Sequence, residues 1–89
     1  MKDLEREKER ESFRVFLTEK NWKPSRTLTL RRILKAEFDD YRREKGETQL
    51  SENRMTRLAF EIFGKTNLKV FDEEKNYYNY GIYAEKVIE

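Results

Sequence analysis

Apolar positions along the chain fall into three helical stripes followed by a stretch of alternation. Phe13, Phe16 and Leu17 share one face at i, i+3, i+4 spacing and close a first helix that enters through the charged residues 2–11. Asn21-Trp22-Lys23-Pro24-Ser25 ends it, because Pro24 lacks a donor and pushes Lys23 out of the helical region. Trp22 is expected as a lid on the core, and Arg26-Thr27-Leu28 as a short extended piece. Thr29 suits the N-cap of a second helix over residues 30–45, with Leu30, Ile33, Leu34, Phe38 and Tyr41 buried and Gly46 as the stop. After a brief turn, Ser51 caps a third helix that buries Met55, Leu58, Ala59 and Ile62 and stops at Gly64. The period then changes to two: residues 68–71 read as a strand, 72–76 as a loop and 77–83 as the returning strand. Glu85, Lys86 and Glu89 mark an end expected to fray.

Two helices joined by a turn and followed by a hairpin describe a winged helix-turn-helix. The expected fold is therefore α+β, three helices followed by a β-hairpin wing, with residues 1–11 as a charged helical lead-in and 12–89 as the domain. Within the lead-in, opposite charges three apart and like charges four apart largely cancel, which predicts a solvated, fraying extension.

Composition narrows what such a domain does. Of 89 residues, 43% are charged and only 36% hydrophobic, but the apolar set includes six Phe, five Tyr and one Trp, enough ring area for one small core. Neither cysteine nor histidine occurs, which removes disulfides, thiolate metal sites, the commonest zinc ligand and the commonest general base. No glycine-rich phosphate loop is present among three glycines, and Asp72-Glu73-Glu74 reads as a solvated turn before it reads as a weak cation site. These absences predict a protein that is not an enzyme and carries no cofactor or metal. No run approaches a membrane span, and a soluble, cytoplasmic protein is expected. The net charge of +2 hides a polarity: residues 21–45 sum to +4 and residues 71–89 to −3.

The chain resembles a known family. Ser12-Phe13-Arg14-Val15-Phe16-Leu17, the aromatic second helix with Phe38, Tyr41 and Arg42-Arg43-Glu44-Lys45-Gly46, and the Leu50-Ser51 entry with Arg54, Met55 and Arg57 carry the likeness. So does Tyr77-Tyr78-Asn79-Tyr80-Gly81-Ile82. Over residues 12–84 these are similar to the C-terminal winged-helix domain of primase-helicases from phages, plasmids, other mobile elements and poxviruses. That family usually has an aromatic where Met55 stands and a glycine where Thr56 stands. No ATPase segment accompanies the domain, so the resemblance implies a detached or stand-alone DNA-binding module tied to replication or regulation of a mobile element, not a helicase.

Candidate contacts follow from the expected docking of the third helix in a groove. Asn53 is placed to pair with adenine, and Arg54 or Arg57 with guanine or phosphate. Lys65, Lys69 and Lys75 lie where a wing approaches the backbone, and Arg26 and Arg31 where the second helix starts. Phe60 falls on the outer side of the third helix, either to stack on unpaired bases or to pack beneath the wing; Tyr80 is expected in the core. The expected partner is DNA, duplex, forked or single-stranded, with a helicase, primase or other replication protein and a homodimer as further partners. The alternative is a protein-interaction adaptor or inhibitor on the same scaffold.

Overall fold

The computed structural model describes residues 2–88; Met1 and Glu89, where the expected lead-in begins and the expected domain ends, lie outside the described residues. The elements are α1 (Lys2–Glu19), β1 (Trp22–Leu30), α2 (Arg31–Glu44), α3 (Glu52–Phe63), β2 (Lys69–Asp72) and β3 (Tyr77–Lys86). The three strands form one antiparallel sheet in the order β1-β3-β2.

The chain is α+β, but it is not three helices followed by a hairpin. The extended piece expected at residues 26–28 is a nine-residue strand inserted between the first two helices. Its cause is tertiary. The returning strand runs to Lys86 and so offers a long second edge of unpaired N–H and C=O groups, which β1 covers from Trp22↔Lys86 to Leu30↔Gly81. Thr29, expected to cap α2, lies in this strand and donates its hydroxyl to the Ala84 carbonyl at 2.6 Å. Helix α2 begins instead at Arg31 after Leu30, with no side-chain cap. Pro24 is tolerated because β1 is an edge strand, and the register shifts between Pro24 and Leu28.

The other helix signals act as expected. Ser51 Oγ accepts from the Arg54 N–H at 3.3 Å. Gly46 takes φ +73° while its N–H bonds the Arg43 carbonyl and the Glu47 N–H bonds that of Arg42, the Schellman arrangement.

Phe13, Phe16 and Leu17 of α1 meet Leu34, Phe38 and Tyr41 of α2 and Met55, Leu58, Ala59 and Phe63 of α3; Trp22, Ile82 and Ala84 of the sheet complete the core. Phe38 packs with ring centroids 5.0 and 5.1 Å from Phe13 and Phe16. Trp22 is buried, with Nε1 donating to Glu37 at 3.3 Å. Ile33 is exposed and Ile62 half-buried, and Arg42 is buried. Its Nε donates to the Thr48 carbonyl at 2.6 Å and its Nη1 to Ser12 at 3.2 Å, tying α2 to the α2–α3 turn and to α1.

The lead-in is continuous with α1 and lies along α3. Arg10 makes two bonds to Glu61, at 3.1 and 3.3 Å, and Glu9 accepts from Arg54.

Candidate nucleic-acid interface

Helix α3 buries Met55, Leu58, Ala59 and Phe63, which leaves Asn53, Arg57 and Phe60 on another face at i, i+4, i+7. Asn53 and Arg57 are exposed, and among the described residues Arg57 has no carboxylate within ion-pair distance. Arg54 is different: it points toward α1 and is held by Glu9. Arg54 and Arg57 line a shallow groove between α1 and α3 together with Arg6, Glu9, Arg10 and Glu61.

Arg31 is not a free surface cation. Its guanidinium sits 4.9 Å from the centre of the Phe60 ring and 5.2 Å from that of Tyr80, and donates to the carbonyls of Thr66 and Gly81 at 3.2 and 3.3 Å. Burial pushes its pKa below the ordinary arginine value, with the charge retained at neutral pH. Arg31 thus joins the start of α2 to α3 and to β3. Phe60 packs beneath it, half-buried against the core, and is not an open stacking surface.

The hairpin continues this arrangement outward. Lys69 and Phe71 of β2 stand opposite Tyr80 and Tyr78 of β3, so the four share one face of the sheet. Lys69 Nζ lies 5.1 Å from the Tyr80 ring centre, and Phe71 and Tyr78 pack edge to face at 5.3 Å. Along β3 that face runs Ala84, Ile82, Tyr80, Tyr78. The first two are fully buried and the last two are 46% and 64% exposed. Tyr80, expected in the core, is therefore at its margin: the strand is longer than the helices that cover it.

On the other face of the hairpin Asp72 is fully buried. It accepts two bonds from Arg32, one of them at 2.8 Å, and one from the Lys75 N–H at 3.3 Å. The Arg32 bonds hold its pKa down at about 2 against the opposing effect of burial, and raise that of Arg32. Glu74 pairs with the same arginine at 3.0 Å. The acidic run 72–74 is thus a turn lock, and no cluster of three or more His, Cys, Asp or Glu suited to a metal occurs among the described residues.

Lys65, Lys69 and Lys75 are exposed and have no carboxylate partner among the described residues. Arg26 is also exposed and unpaired, but it lies on the far edge strand beside the Pro24–Leu28 irregularity, at the end of β3 remote from Tyr77. The structure thus sets Asn53 on α3, Arg57 on α3 beside the α1 groove, Lys69 on the ring-bearing face of the hairpin, and Lys65 and Lys75 in the segments flanking β2, and leaves Arg26 apart. Phe71 and Tyr78 share the face of the hairpin that carries Lys69 and are not among the candidate contacts read from the sequence. Their signal was present as the alternation Tyr78, Tyr80, Ile82, Ala84, but period alone does not say where coverage by the helices stops.

No helix among the described residues is long and apolar enough to cross a membrane. Comparison of the chain with protein-family models, with curated proteins and with solved structures found no match.

Proposed function

We propose that this chain is a DNA-binding module with no catalytic role, which meets the phosphate backbone with α3 and the β2–β3 hairpin. The observation that carries this is the distribution of charge pairing. On α2 Arg32, Lys35, Arg42 and Arg43 have carboxylate partners, and Arg31 is held by rings and backbone carbonyls. Arg57 of α3 and Lys65, Lys69 and Lys75 in and around the hairpin have none among the described residues. A cation already paired gains little from a phosphate, because it must give up one anion for another; an unpaired one releases a counterion from the nucleic acid.

Asn53 and Arg57 supply donors suited to base edges, and the lysines supply contacts that position the backbone. The likeness of residues 12–84 to the C-terminal domain of primase-helicases supports a cytoplasmic role in replication or regulation of a mobile element, beside a helicase or primase partner.

The test is fluorescence anisotropy with labelled 20-nucleotide DNA at several salt concentrations. Four phosphate contacts predict micromolar-scale binding with a log–log salt slope of about −3. No anisotropy change at low salt with single-stranded, forked or duplex DNA overturns the proposal.

A further inference from the structure

The outer half of the hairpin has a feature that phosphate binding does not use. The face that is fully buried at Ile82 and Ala84 carries on past the helices as Tyr80, Tyr78 and Phe71, all of them about half or more exposed. Isolated surface rings are common, but these adjoin one another and continue a core face, as apolar surface reserved for a ligand does.

What covers them is indicated by the charges set among them. Arg31 closes the inner end of the row against Tyr80, Lys69 flanks the same ring, and Lys75 stands in the turn beyond. Arg32 takes up Asp72 and Glu74, while Glu73 of the same turn is exposed and without an ion-pair partner among the described residues. A purely apolar protein partner has no need of cations between rings, and an acidic peptide has no need of the rings. An unpaired nucleic-acid strand uses both, with bases on ring faces and phosphates on lysines. Paired bases in a duplex present no faces to stack on. Tyr80 already carries Arg31 and Lys69 over its ring, so the open ring surface is that of Tyr78 and Phe71.

We infer that Tyr78 and Phe71, continued by Tyr80, form a stacking platform for unpaired bases, flanked by Lys69 and Lys75, so that the ligand is single-stranded or forked DNA in preference to duplex. This rests on the DNA-binding proposal and narrows it to one form of DNA.

The experiment compares fluorescein-labelled dT20 with a 20-base-pair duplex by anisotropy, using the full chain and the variants Tyr78→Leu, Tyr78→Phe and Phe71→Leu. The wild type is expected to prefer dT20. Loss of one ring is expected to weaken dT20 binding about tenfold, as removal of one stacking partner does, with duplex binding unchanged. Tyr78→Phe keeps the ring and is expected to retain wild-type affinity. NOEs between Tyr78 ring protons and thymine protons in the wild-type complex give a second readout that needs no variant.

Equal affinity for dT20 and duplex, unaffected by either leucine variant and without such NOEs, overturns the stacking platform and leaves the DNA-binding proposal standing. Absence of binding to either DNA overturns both. Salt-insensitive self-association through the same rings assigns the face to a second copy of this chain and likewise overturns the platform.

Discussion

The two halves of strand β3 use similar residues to opposite ends. From Ile82 to Lys86 the inward face is sealed by the helices, its partner strand is β1, and Lys86 and the Trp22 indole both bond Glu37. From Tyr77 to Tyr80 the same face leaves the helical cover, its partner is the four-residue β2, and cations lie against rings or in solvent. In the inner half the partly buried polar groups are bonded, Thr29 to the Ala84 carbonyl and Trp22 and Lys86 to Glu37. The unpaired cations and bare rings of the outer half contribute little to the fold, and that contrast is the reason to assign them to a ligand.

Substitutions in the inner half are expected to cost stability and those in the outer half affinity. Phe38→Ala, deep among Phe13, Phe16 and Tyr41, is expected to destabilise by about 3–5 kcal/mol in urea denaturation, enough to unfold a large fraction of so small a domain. Gly81 sits where the two halves meet. A Cβ there comes within 2.9 Å of Val70 Cγ2 and 3.2 Å of Leu28 Cδ2, so Gly81→Ala is expected to cost about 1–3 kcal/mol by overpacking. An unchanged denaturation midpoint for Gly81→Ala would mean that the hairpin is not held against β1 as described.

Acid should act on the turn lock. The pKa of Asp72 lies at about 2 in the folded chain against an ordinary value of 3.8. A carboxyl lowered on folding stabilises fully above its unfolded value, and that contribution is lost as pH falls through about 4 toward 2. The urea midpoint is expected to decline over that window, and to decline less in Asp72→Asn, which cannot titrate.

Smaller effects are expected on the outer surface. Arg57→Ala and Lys69→Ala should each lower the magnitude of the salt slope for DNA binding by about 1, with melting temperature little changed. Glu9→Ala frees Arg54 from α1, and is expected to strengthen DNA binding about twofold while removing an ion pair worth at most about 1 kcal/mol. Equal or weaker binding by Glu9→Ala would show that Arg54 takes no part.

Much of this organisation was legible in the sequence, and the failures share one cause. The Ser51 cap and the Gly46 and Gly64 stops are local signals satisfied within a few residues, whereas the helical stripes fail at Leu30, which lies in β1, and at Ile33 and Ile62, which are not buried. Local sequence marks β1 only as a short connector, because its pairing is with residues more than fifty positions away. Thr29 is as good a cap as it is a strand residue, and only the presence of Ala84 beside it decides between them. Arg31, Arg42 and Arg54 looked alike as helix cations; one is sandwiched between rings, one is buried, and one is held by α1. Their fates depend on neighbours that periodicity does not name. Candidate contacts on α3 and in the hairpin were legible as residue types, whereas the exposure of Tyr78 and Phe71 depended on how far the helices reach.

The most direct test of the outer half as the DNA-binding surface is amide NMR of the labelled chain titrated with dT20. The account predicts shift changes concentrated at residues 65–80 and at Asn53 and Arg57, with α2 residues 35–44 unmoved. Changes centred on α2, or spread evenly over the chain, would contradict it.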